Sequence, residues 1–202
     1  MSTTTLEAEH HIATPVAVPT TLGDPFALGL ASFGISALVL SSVMSGLIDG
    51  AALPAVLALA IALGFVTELV AGIVHFQRGE TFPAVVFTTY AGFWLSYFLL
   101  VQFFLPSVKV DATAITGMFL LSWAIFSTYM LLAAVRTTKT VLLIFVLLTA
   151  VFYLAAFGSF FESAALSKTA GFVLIADALV ALYLSASSIS ATTWGEDVLP
   201  AP

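Results

Sequence analysis

LPAVLALAIALGFVTELVAGIVHF (Leu53–Phe76) holds a single charged residue, Glu68, in 24 positions. At ~1.5 Å of rise per residue, a helix of this length spans about 36 Å, enough to cross a hydrocarbon core of about 30 Å. One acid at mid-depth costs about 2.5 to 3.5 kcal/mol, which the many Leu, Ile, Val and Phe offset at about 0.3 to 0.6 kcal/mol each. The stretch reads as a transmembrane helix that tolerates one carboxyl.

Five further stretches have the same character. Pro25–Ile48 lies between Asp24 and Asp49, and Thr81–Val108 is interrupted by Pro106. Ala112–Val135 stops at Arg136, Thr140–Phe161 stops at Glu162, and Thr169–Thr193 contains Asp177. The links IDGAA, QRGE, PSVKVD, RTTK and ESAALSK leave no room for a separate soluble domain. A membrane β-barrel would need short alternating segments with a polar inner face, and these runs are apolar all round. The reading is an all-α integral membrane protein: six transmembrane helices in a channel-like bundle.

Composition agrees. Of 202 residues 61% are hydrophobic and 8% charged, with a mean hydropathy of +1.15. Soluble domains carry about 25% charged residues, so this chain cannot clothe a water-facing sphere. Net charge −6 with five Lys plus Arg excludes a nucleic-acid partner. The absence of Cys excludes disulfides, thiolate chemistry and iron–sulfur ligation, and His10, His11 and His75 are too scattered for a multi-histidine metal site. No cofactor or metal is expected.

Residues 1–24 have prolines, acids and no Lys or Arg, so they read as a disordered tail and not a signal peptide. Residues 25–194 form the six-helix domain, and 195–202 form a C-terminal tail. Six crossings put both termini on one side. That side holds Arg78, Arg136 and Lys139 against Lys109 and Lys168, so the positive-inside rule puts both termini in the cytoplasm. The odd-numbered helices share a spacing, with Phe33, Tyr90 and Leu148 separated by 57 and 58 residues. This period suggests three helical hairpins of one length, although any six-helix chain with short loops shows something similar.

Two carboxyls at membrane depth are the candidate chemistry. Glu68 shares a helix face with Gly64, Gly72 and His75, and Asp177 shares one with Val173, Ala181, Leu184 and Ser188. Each is either a protonated, hydrogen-bonded structural group or a proton-binding group of a pathway. Glu68 lies ~12 Å from the terminal side and Asp177 ~12 Å from the opposite side, so they are not default partners. Tyr90, Trp94 and Tyr97 form one stripe that reads as core or interface. No Gly-rich phosphate loop, H-E-x-x-H or His, Asp and Ser set at membrane depth is present, and an enzyme is not expected.

GDPFALGLASF (Gly23–Phe33), AGIVHFQRGETF (Ala71–Phe82), FTTYAGFWLSY (Phe87–Tyr97), LLTAVFYLAAFG (Leu147–Gly158), AGF (Ala170–Phe172) and VLP (Val198–Pro200) follow one another in order. Together they resemble the acetate uptake transporter family, the SatP/YaaH-like acetate and succinate permeases. The resemblance implies a homo-hexamer in the inner membrane, each protomer passing a small monocarboxylate through a Phe, Tyr and Leu constriction. Those residues fall on Phe33, Tyr90 and Leu148, all ~10 to 12 Å from the terminal side. Tyr90, Thr88 and Thr89 would supply hydroxyls there. The family pattern differs at Asp24 (usually Asn), Ala27 (usually Pro), Glu68 (commonly Gln), His75 (usually Glu) and Asp177 (usually small and neutral).

The implied activity is uptake of acetate or a similar short monocarboxylate with a proton. The alternative is a passive channel for small neutral solutes such as ammonia, urea or short amides. For a symporter the expectation is a protonated Glu68 hydrogen-bonded to a hydroxyl on another helix, with Tyr90 the first candidate.

Overall fold

The structure, a computed structural model, describes residues 22–200. Among them are six helices long and apolar enough to cross a membrane: α1 (Phe26–Met44), α2 (Gly50–Gln77), α3 (Thr81–Ser107), α4 (Ala112–Ala134), α5 (Lys139–Phe160) and α6 (Ala164–Trp194). The expected N-terminal tail lies outside the described residues up to position 21.

Local chemistry sets the boundaries. Asp111 accepts hydrogen bonds from the backbone N–H of Thr113 and Ala114, opening α4. Thr138 caps α5 through Val141 N–H and Ser163 caps α6 through Leu166 N–H. The Ser163 cap starts α6 five residues before the apolar run does, taking Lys168 into its first turns. Gly46, at φ +81°, ends the first crossing at Met44, ahead of the last apolar residue. Two crossings are not regular α-helix: α2 is π-helical over Ala60–Thr67 and α3 over Leu100–Phe104. The α2 segment runs directly into Glu68, and π-turns of this kind concentrate at functional positions.

The helices close a ring in which α1 packs along α6, α6 along α5, α5 along α4, and α2 against both α3 and α1. The backbones of α3 and α4, although consecutive, meet only marginally, so the three expected hairpins are not packed alike. Aromatic side chains fill that gap. Tyr90 and Phe93 of α3 meet Trp123 of α4 at centroid distances of 6.2 and 5.2 Å, and Phe152 of α5 at 6.3 and 5.2 Å. Outward positions such as Met118, Ile125, Leu132, Phe172 and Leu179 are apolar and exposed, as a lipid-facing surface requires.

Small residues let the other seams close. A Cβ at Gly171 of α6 would stand 2.3 Å from Ser45 N and one at Gly72 of α2 would stand 2.7 Å from Thr88 N, so backbone meets backbone at both places. Residues 195–200 turn back along α6, where Ser187 donates to Leu199 O (2.7 Å) and Tyr183 to Pro200 O (2.6 Å). These bonds hold a segment whose composition alone suggests no structure.

Gly171→Ala should therefore destabilise the protein by about 1 to 3 kcal/mol, because backbone and not a flexible side chain must move. Thermal unfolding in detergent checks it; an unchanged midpoint would show that the α1–α6 seam has slack.

Candidate functional site

Two cavities lie end to end inside the ring. The smaller, about 40 Å³ toward the terminal side, is lined by Phe26, Glu68, Phe82 and Phe87 among others. The larger, about 320 Å³ toward the opposite side, is lined by Leu40, Met44, Trp94, Tyr97 and Leu174 among others. Phe33, Tyr90 and Leu148 line both, and no other residue does. All three are buried, and they come from α1, α3 and α5.

Each arrives there by helical periodicity. On α1, Phe26, Leu30, Phe33, Ala37, Leu40 and Met44 recur every three or four residues and present one continuous wall to the cavities. On α5, Val141, Ile144, Leu148, Val151, Ala155 and Ser159 do the same. On α3, Tyr90 shares its stripe with Trp94 and Tyr97, which line the larger cavity and so are more than core. Thr88 and Thr89 line neither cavity. Thr88 lies about 200° around the helix from Tyr90. Its methyl faces the bare backbone of Gly72, and its hydroxyl donates to Ala84 O at 2.7 Å.

Tyr90 does not reach Glu68. Its hydroxyl lies 2.7 Å from Ser127 Oγ on α4. Ser127 gives its own proton to Trp123 O at 2.8 Å, so Tyr90 is the donor. The expected Tyr90–Glu68 bond is thus replaced by a Tyr90–Ser127 bond, because Tyr90 points across the ring toward α4. Ser127 carried no signal in the sequence beyond being a small polar residue in an apolar helix. Glu68 is buried with Gly64, Gly72 and His75, while Val66 and Ile73 on the other side of α2 are exposed. Its Oε2 has no hydrogen-bond partner. The Trp94 indole stands beside its carboxyl, yet Trp94 Nε1 also lacks a partner in hydrogen-bond geometry. Asp177 is buried on α6 with both oxygens unpartnered, and it lines neither cavity.

At the mouth of the smaller cavity, His75 Nδ1 lies 2.6 Å from Glu80 Oε2. Its ring stacks on Phe87 at 5.5 Å and meets Phe26 edge-on at 6.3 Å. Arg78 Nε donates to both Glu80 oxygens at 3.0 Å, and its Nη1 donates to Leu22 O at 2.7 Å. The α2–α3 turn is thereby clipped to the segment that leads into α1. Ligand atoms of Asp24, His75 and Glu80 lie within 4.8 Å of one another. With the Arg78 guanidinium already on Glu80, the cluster is an ion-pair clip and not a cation site. Gly79, at φ +74°, makes the turn tight enough for it.

A six-helix membrane bundle with two cavities meeting at one apolar level is the build of a transport protein. The chain belongs to the GPR1/FUN34/yaaH family, which it matches over residues 6–195. The succinate-acetate/proton symporter SatP of Escherichia coli (strain K12) is 29% identical over 186 residues, covering 90% of this chain and 96% of its own. Acetate permease A of Emericella nidulans is 32% identical over 67% of this chain and 49% of its own. Ammonia transport outward protein 3 of Saccharomyces cerevisiae is 33% identical over 76% of this chain and 58% of its own. The structure of the bacterial acetate channel SatP superposes with a TM-score of 0.82 at 28% identity, covering 90% of this chain and all of that one. The chain is a multi-pass membrane protein of this family.

The clip makes a pH-dependent contribution to stability. Arg78 first, and then His75, hold the Glu80 carboxyl below the usual carboxylate range against the opposing effect of partial burial. The folded state thus prefers the ionised form, so the contribution is full above about pH 4 and is lost as the pH falls through the lowered value. Glu80→Gln should lower the melting temperature at pH 7, and the gap to wild type should close on acidification below about pH 4. A gap independent of pH would mean that the Glu80 charge contributes nothing.

Proposed function

We propose that this chain carries acetate or a similar short monocarboxylate across the inner membrane together with a proton. Family membership supports the substrate class, since relatives named for acetate or succinate-acetate transport align along most of this chain or a large part of it. The observation that carries the residue assignment is that two cavities share only Phe33, Tyr90 and Leu148. In our reading these three form the constriction and the cavities are its vestibules. A carboxylate pays heavily to leave water, so a path through an apolar ring needs either hydrogen-bond donors or a proton. Glu68, whose Oε2 has no hydrogen-bond partner and which lines the smaller cavity, is the proposed proton-binding group, held neutral in the resting state. Asp177 is the second proposed proton site, reached only by local motion. Further parts of the proposal are a homo-hexamer, cytoplasmic termini, and tails 1–24 and 195–202 flanking a transport domain of residues 25–194.

The second reading, a passive path for small neutral solutes, is favoured by the relative named as an ammonia exporter. Uptake of labelled acetate into proteoliposomes under an imposed pH gradient tests the first reading. Saturable, gradient-dependent flux is expected, and no protein-dependent flux of any short monocarboxylate would end it. Gradient-independent flux of ammonia or urea would favour the second.

Leu148→Ala should open the ring and admit a larger acid such as lactate or succinate in a still-folded protein. Truncating a fully packed Leu costs about 2 to 5 kcal/mol. Lost stability with unchanged selectivity would mark Leu148 as ordinary core.

A further inference from the structure

Glu68 and Trp94 occupy opposite vestibules yet face each other. Glu68 lines the smaller cavity and Trp94 the larger, and they stand on adjacent helices. The indole lies flat against Gly64 of α2, where a Cβ would come within 2.3 Å of Trp94 Cγ. Glu68 is one turn further along that face, which brings the indole edge to its carboxyl. Both side chains are at least 98% buried, being 1% and 2% exposed, and Glu68 Oε2 and Trp94 Nε1 are both without a partner. A buried donor and a buried acceptor side by side, each unsatisfied, form an arrangement that native interiors rarely leave without a use.

We propose that the Trp94 N–H is a carboxylate-binding donor shared between Glu68 and the solute passing the Phe33, Tyr90 and Leu148 ring, and that this sharing links solute binding to the proton on Glu68. The inference rests on the monocarboxylate reading above. An indole N–H donates one hydrogen bond and accepts none. When Glu68 is ionised, its carboxylate takes that bond and repels a second anion. When Glu68 is protonated, its neutral carboxyl is the weaker acceptor, and a solute carboxylate arriving in the larger cavity outcompetes it for the N–H. Proton and carboxylate then bind cooperatively, and by linkage each strengthens the other equally.

The other titratable groups around the pair leave it to act alone. On α2, His75 lies two turns nearer the mouth and is engaged by Glu80. No residue of α1 titrates. On α3 stand Tyr90, whose proton is given to Ser127, and Tyr97. Across the ring on α6, Asp177 lies close enough to act electrostatically on the Tyr90 hydroxyl, as Glu68 does. Arg78, on the same helix hairpin, is paired with Glu80.

The test is acetate uptake into proteoliposomes across a pH series with wild type, Trp94→Phe, Glu68→Gln and the double variant. Phe keeps an aromatic ring on Gly64 and removes the donor together with part of the ring volume, so the pH profile and not the half-saturation alone reports the lost bond. Trp94→Phe should raise the half-saturation concentration for acetate about tenfold, as expected for a lost bond to a charged acceptor, and flatten its pH dependence. Glu68→Gln should flatten the pH dependence too, and the double variant should be no flatter than either single one. If wild type passes acetate and Trp94→Phe matches it in both half-saturation and pH profile, this inference alone fails; if wild type passes no monocarboxylate, the transport reading itself fails and takes the inference with it. Should Trp94→Phe not fold, the indole N–H resonance of Trp94 in the wild-type protein decides, assigned by elimination with Trp123→Phe and Trp194→Phe. Acetate should shift it at low pH, and an unmoved resonance overturns the proposal.

Discussion

Aromatic rings wedged between α3 and α4 are the constraint on which the interior depends. Tyr90 and Phe93 on one side, Phe119, Trp123 and Phe126 on the other, and Phe152 from α5 form a continuous layer of edge-on and stacked contacts at 5.2 to 6.3 Å. In lipid there is no hydrophobic force between helices, so separation is decided by what the side chains fill. Large flat rings hold these two backbones apart. The glycine seams elsewhere draw theirs together. The cavities are what remains inside a ring closed tightly at α1–α6 and propped open at α3–α4.

That arrangement also fixes where polarity survives. Many hydroxyls of the bundle donate to a carbonyl three or four residues back in their own helix, as those of Ser32, Ser41, Ser96 and Thr128 do, and are thereby removed from the interior surface. Tyr90 and Ser127 bond across helices and lock the wedge. What is left unpaired is a short set that includes Glu68, Trp94 and Asp177. In a medium without water such groups are expensive, and two of them, Glu68 and Trp94, line the cavities.

The mouth obeys a different rule, because solvent reaches it. Asp24 and His75 come together there with Glu80 and Arg78. A histidine and a glutamate that look unrelated along the chain are hydrogen-bonded in space, brought together by the Gly79 turn. His75 then carries Glu80 on one edge, stacks on Phe87 and meets Phe26 edge-on, so the clip also sets the position of Phe26 and Phe87 in the smaller cavity.

The membrane class, the six crossings and the inward face of α2 were legible in the chain, because a spanning helix must satisfy its backbone internally and show lipid an apolar surface, a requirement read directly from runs of residues. Glu68 stood out for the same reason, as a costly residue in a cheap run. The spacing of Phe33, Tyr90 and Leu148 was visible, whereas their meeting across three helices depends on how the helices pack. Nothing in the order of residues said that Thr88 would turn away to pack on Gly72, that Tyr90 would bond Ser127 and not Glu68, or that Trp94 would stand beside Glu68. Periodicity assigns a side chain to a face of its own helix, but which neighbour that face meets is settled by ring volumes and glycine gaps summed over the whole bundle, and only the tertiary structure performs that sum.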